Sequence, residues 1–121
     1  MKVLIVEDDL DGAAVIEMIL DAAGIESTVA RTAEQAIAIL ENESGAFNGA
    51  IVDLGLPGMD GFEFLVAARE HQAYARLPLV AATAFHTPEL KDRALRRGFD
   101  AYFAKPCDPA ALVKTLQSLA G

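Results

Sequence analysis

"IVDLGLPGMDG", residues 51–61, raises the first structural question in the chain. An apolar run with β-branched residues ends on Asp53, and a loop rich in Gly and Pro follows. A short apolar run bounded by turn residues reads as a strand buried on both faces. A carboxylate where such a strand stops loses solvation unless other polar groups meet it. The partners of Asp53 must come from elsewhere in the chain.

Working outward, short apolar runs alternate with helical patterns. "KVLIV" (2–6) reads as a strand with an abrupt acidic stop at Glu7-Asp8-Asp9. Ile16, Ile19, Leu20 and Ala23 recur at helical spacing, with Gly24 as the stop. "ESTVA" (26–30) is a second strand, and Thr32 with Gln35 makes a capping-box pattern before Ala33, Ala36, Ile37 and Leu40. "GAIVD" (49–53) is the third strand, and Phe62, Leu65 and Val66 begin the third helix. "LPLVAAT" (77–83) holds a fourth strand. Thr87-Pro88 then predicts an N-cap and first-turn proline for a helix running to about Arg97, with Gly98 as its stop. "AYFAK" (101–105) is the fifth strand, and Asp108-Pro109 opens a last helix with Leu112, Leu116 and Leu119 as its stripe.

Five strand–helix units in strict alternation predict an α/β fold, a doubly wound five-stranded parallel sheet with helices on both faces. The 121 residues suit one core, and 53% apolar content is ample for it. A net charge of −8 argues against a nucleic-acid face or an anionic membrane surface. The single cysteine, Cys107, excludes an internal disulfide and suits a reducing compartment. The apolar stretch after Lys2 is too short for a signal peptide, and no run approaches the roughly 18 apolar residues of a membrane span. A cytoplasmic protein is expected.

In open sheets of this kind, sites form at the carboxyl ends of the strands. The residues there are Glu7, Asp8 and Asp9, then Asp53, Thr83 and Lys105. Taken singly, each has an ordinary reading as a capping acid, a backbone-bonded hydroxyl or a snorkelling lysine. Together they suit one chemistry. Clustered carboxylates repel unless a divalent cation joins them, and Mg²⁺ takes one or two carboxylates while leaving room for phosphate oxygens. Asp53 could then be a nucleophile toward phosphorus, with the metal, Lys105 and the Thr83 hydroxyl meeting the transferred group.

The chain resembles the receiver domains of two-component response regulators, from "VLIVEDD" through "DLGLPGMDG" and "AATAF" to "FDAYFAKP". The resemblance covers nearly the whole chain. It implies a flavodoxin-like receiver fold over 1–121, with Asp53 as the phosphoacceptor. It implies Asp8 as a direct Mg²⁺ ligand, Glu7 as the other member of the acidic pair, and the Gly55 carbonyl as a further ligand. Thr83 matches the switch hydroxyl, Tyr102 the switch aromatic, Lys105 the phosphate-contacting lysine, and Ala84 the small residue that keeps the site open. The Lys105-Pro106 bond is expected to be cis.

The implied function is a signalling switch, phosphorylated by a histidine kinase or phosphotransfer protein, whose own chemistry stops at phosphoryl uptake and slow hydrolysis. The downstream target would dock through the fourth helix, fifth strand and fifth helix. The resemblance also implies that Gly55 and Phe85 flank the path of the hydrolytic water. Gly55 cannot orient that water and Phe85 should shield it. A phosphohydrolase with an Asp nucleophile is the rival reading. It would carry a second acid two residues after the nucleophile, where this chain has Gly55, which cannot transfer a proton. His71 and His86 have no partner at metal-ligand spacing and read as surface histidines. Lys91, Arg93, Arg96 and Arg97 read as a solvated helix face, and Cys107 as an unreactive thiol.

Overall fold

The structure, a computed structural model, describes residues 1–43 and 45–120. Strands β1 (Lys2–Val6), β2 (Glu26–Ala30), β3 (Gly49–Asp53), β4 (Leu79–Thr83) and β5 (Ala101–Ala104) form one sheet. The strand order is β2-β1-β3-β4-β5, and every pairing is parallel. Helices α1 (Leu10–Ala22), α2 (Ala33–Asn42), α3 (Gly61–Glu70), α4 (Pro88–Arg97) and α5 (Pro109–Ala120) make the crossovers. A short 3₁₀ turn at Gln72–Tyr74, not expected from the sequence, precedes β4.

Two apolar clusters flank the sheet. Leu4, Val6, Ala50, Val52, Leu79 and Ala81 face α2 and α3, with Phe64 and Leu65 among the buried residues of that side. Val3, Ile5, Ile51, Val80 and Ala82 face α1 and α5 through Ile16, Leu20, Leu112 and Leu116. This is the doubly wound fold that the alternating runs predict. Burial on both faces holds for β1, β3 and β4, but β2 and β5 are edge strands and only partly buried.

Several stripe assignments shift. Ala23 is the C-cap of α1 and exposed, and the buried positions are Ala13, Ile16 and Leu20. In α3 the buried residues are Phe62, Phe64, Leu65 and Ala68, whereas Val66 is 54% exposed. The Thr32 hydroxyl accepts from the Gln35 N–H, but the Gln35 amide oxygen accepts from the Arg31 N–H instead of closing the expected box. A full capping box sits on α3, where Asp60 and Glu63 exchange bonds with each other's backbone N–H. The Thr87 cap with Pro88 at N1 is as expected.

The "IVDLGLPGMDG" stretch turns over on glycine. Gly58 adopts φ +71°, a left-handed conformation suited to glycine. Gly61 solves a different problem. A Cβ there would lie 2.8 Å from the Asp53 carbonyl oxygen and 2.9 Å from Leu54 Cα. Only glycine lets α3 start against the end of β3. Alanine at Gly61 is therefore expected to lower stability by about 2 kcal/mol, since fixed backbone must move to admit it. A drop in the urea midpoint with an unchanged slope checks this. An unchanged midpoint would show that the two segments separate without strain.

Candidate functional site

The ends of β1, β3, β4 and β5 bring their residues to one rim, as expected. Glu7, Asp8 and Asp53 each offer a carboxylate oxygen within 4.8 Å of the others, among the described residues. Lys105 Nζ pairs with Glu7 Oε1 and lies 3.6 Å from Asp53 Oδ2. The Gly55 N–H donates to Asp53 Oδ1 at 3.0 Å, tying the carboxylate at the end of β3 to the loop that follows. Thr83 is buried at the end of β4, and its Oγ1 accepts from the Phe85 N–H at 3.0 Å. The Lys105 N–H donates to the Thr83 carbonyl at 2.8 Å, tying β5 to β4 just below the site. The Lys105-Pro106 bond is cis.

Three consecutive acids take three separate places. Glu7 is only 2% exposed and turns inward to Lys105. Asp8 is exposed and belongs to the carboxylate cluster. Asp9 is the N-cap of α1, its Oδ2 accepting from the Gly12 N–H at 3.2 Å. Asp9 therefore caps a helix rather than joining the cluster. Glycine at position 12 makes this approach possible, because a Cβ would come within 3.1 Å of Glu7 Oε1 and 3.2 Å of Asp9 Oδ2. Sequence reading passed over Gly12, which announces no chemistry of its own.

The electrostatics follow from burial. Loss of solvent pushes the Glu7 carboxyl up to about 7 from 4.5, and the Asp53 carboxylate acts in the same direction while the Lys105 ammonium opposes both. Burial works to lower Lys105, but its bond to Glu7 and the Asp53 charge outweigh it, so the ammonium is held above its ordinary value. Burial raises the Cys107 thiol, in keeping with an unreactive cysteine.

Tyr102 does not stand at a strand end. It lies two residues earlier, paired with Ala81, while Ala104 pairs with Thr83. Parallel register still puts the Tyr102 and Thr83 side chains on one face of the sheet. The Phe85 ring is 79% exposed. The turn closed on the Thr83 hydroxyl leaves it in solvent, so the expected shielding of the site by a packed ring is not what the structure holds.

His86 is exposed on the loop after β4, as expected of a surface or loop histidine, and its Nδ1 lies 3.0 Å from the Tyr102 hydroxyl. The basic residues of α4 are all exposed, as a solvated face requires, and three of them also make local contacts. Arg93 lies 4.4 Å over the Phe62 ring and Arg97 5.9 Å from it, while Arg96 pairs with Asp92 at 3.0 Å. His71 closes α3, and its Nδ1 accepts from the Ala73 N–H at 3.3 Å.

The arrangement combines a carboxylate cluster suited to a hard cation, a lysine beside it and a hydroxyl within the same rim. Among the described residues no helix is long and apolar enough to cross a membrane. Comparison with known proteins points the same way. Residues 3–117 match the family described as the response regulator receiver domain. The chain is 35% identical over 112 residues to the response regulator protein FleR of Pseudomonas aeruginosa, covering 93% of this chain but 23% of FleR. An uncharacterized 14.6 kDa protein of Leptolyngbya boryana is 37% identical over 117 residues, 97% of this chain and 88% of that protein. The receiver domain of sensor histidine kinase PA1611 from Pseudomonas aeruginosa, solved with magnesium in its active-site cleft, superposes with a TM-score of 0.89 at 29% identity. That match covers 99% of this chain and 97% of the other. The chain belongs to the response regulator receiver domain family, a family of phosphoryl-accepting signalling switches.

Proposed function

We propose that Asp53 is the phosphoacceptor and that the switch runs through Thr83 and Tyr102. The observation that supports this most is the meeting of the Asp53 carboxylate with Lys105 and with the Glu7 and Asp8 carboxylates at one rim. One Asp53 oxygen attacks the phosphorus of a phosphohistidine on a histidine kinase or phosphotransfer protein. The P–N bond breaks, the imidazole leaves, and an acyl phosphate remains on Asp53. Lys105 has three N–H donors to offer the transferred oxygens, and the Thr83 hydroxyl can donate a further bond once it turns inward.

Three carboxylates within 4.8 Å suit Mg²⁺, which Asp8, Asp53 and the Gly55 carbonyl would hold with Glu7 beside them. When bound, the ion offsets negative charge on the carboxylates and the phosphoryl oxygens. The reading places the chain in the cytoplasm. It also assigns downstream docking to α4, β5 and α5, where Lys91 and Arg96 are exposed.

Acetyl phosphate with Mg²⁺ should add one phosphoryl group, seen by intact mass, and alkali should remove it. A chelator should suppress the addition. Metal-independent addition, or an alkali-stable product, would contradict the assignment.

Gly55 bears on how long the signal lasts. It has no side chain to orient a hydrolytic water, and it stands beside Asp53 Oδ1. With the Phe85 ring in solvent, the missing side chain alone accounts for the slow self-dephosphorylation proposed here. Gly55→Asn, which places an amide there, is expected to speed loss of phosphate on the order of tenfold. Decay followed by mass spectrometry checks this, and equal rates would remove Gly55 from the account.

A further inference from the structure

The loop from Ala84 to Thr87 has a contact with the proposed switch at each end. The Phe85 N–H donates to Thr83 Oγ1 at 3.0 Å on the β4 side. On the β5 side, His86 Nδ1 meets the Tyr102 hydroxyl at 3.0 Å, the two rings lying 5.5 Å apart and tilted by 53°. Next along, Thr87 Oγ1 accepts from the Leu90 N–H at 3.0 Å as the cap of α4. One short loop therefore holds the hydroxyl on β4 and the aromatic ring on β5 at once. His86 is exposed and Tyr102 half-buried, so their bond adds little to the core. Its effect falls on where the Tyr102 ring rests.

Resting on the switch reading given above, we propose that His86 is a positioning residue that latches Tyr102 in its resting orientation. In the tautomer with the proton on Nε2, His86 offers Nδ1 as acceptor and the phenol donates to it. When Thr83 turns toward a phosphoryl group, its hydroxyl leaves the Phe85 N–H. The loop that carries His86 is then free to move, and Tyr102 is released. The latch opposes the active arrangement. By linkage it weakens any ligand that favours that arrangement, by the same factor that it favours the resting one.

Beryllofluoride with Mg²⁺, a mimic of the phosphoryl group, is the probe. Its affinity is measured by titration for the wild type, His86→Ala, Tyr102→Phe, the double variant and His86→Gln. In the wild type and the His86 variants, the ring resonances of ¹³C-tyrosine report the motion. The chain has two tyrosines, and buried Tyr74 serves as the fixed reference. One exposed hydrogen bond predicts about fivefold tighter binding in each single Ala or Phe variant. The double variant should gain no more than either single one, because both remove the same bond. His86→Gln retains an acceptor and should stay within about twofold of wild type.

A wild-type Tyr102 resonance that ignores beryllofluoride would overturn the switch reading and the latch together. A normal wild-type response with unchanged affinity in His86→Ala would overturn the latch alone. Gains that multiply in the double variant would do the same, by showing that the two side chains act independently.

Discussion

Metal-free Glu7→Gln is expected to be more stable than the wild type above pH 7, by about 3 kcal/mol. The reason is the inward turn of Glu7, which leaves it 2% exposed beside Asp53. Its folded pKa is raised from 4.5 to about 7. The folded state then binds the proton more tightly than the unfolded chain does. The stability linked to that proton is fully present below pH 4.5 and is lost as pH rises through about 7. Glutamine resembles the protonated acid at every pH, so the two proteins should have equal stability below pH 4.5 and diverge above it. Urea unfolding in chelator at a series of pH values checks this. Mg²⁺ should narrow the gap, since a cation beside the carboxylates favours their charged forms. A gap independent of pH, or a Gln variant less stable at pH 8, would show that Lys105 already satisfies the buried charge.

The same residue shows where sequence reading stops. Glu7, Asp8 and Asp9 are three acids in a row at a strand end, and nothing in their identities tells them apart. Their roles separate because successive positions leave a strand in different directions. One is buried on Lys105, one stays on the rim, and one reaches the first turn of α1. Asp53, Thr83 and Lys105 were legible because each ends an apolar run, and parallel topology sends all such ends to one edge. The strand order itself is not written in any one segment.

Helix faces were less legible where a helix is apolar on more than one side. In α1, Leu10, Val15 and Met18 are exposed beside the buried Ala13, Ile16 and Leu20, so helical spacing alone fits more than one stripe. The close approaches at Gly12 and Gly61 and the Tyr102 contact of His86 could not be read from the sequence. The importance of these residues lies in what approaches them, from Glu7, from the Asp53 backbone and from Tyr102. That information is tertiary.

The second large effect is the loss of phosphoryl uptake in Asp53→Asn. The substitution keeps the shape of the side chain and an oxygen that can accept from the Gly55 N–H at the 3.0 Å position. It removes the negative charge that Lys105 faces at 3.6 Å, and with it the proposed nucleophile. Neither neighbouring acid can readily stand in. Glu7 is buried and paired with Lys105, and in the proposed reading Asp8 is taken up by the cation. Uptake should fall by more than about a hundredfold, because an amide is a poor nucleophile toward phosphorus.

The direct measurement is incubation of the wild type and Asp53→Asn with acetyl phosphate and Mg²⁺, followed by intact mass and peptide mapping. One alkali-labile phosphoryl group is expected on the peptide that carries Asp53, and none on the variant. An equal label on Asp53→Asn, or a label mapped to any other residue in the wild type, would contradict Asp53 as the phosphoacceptor.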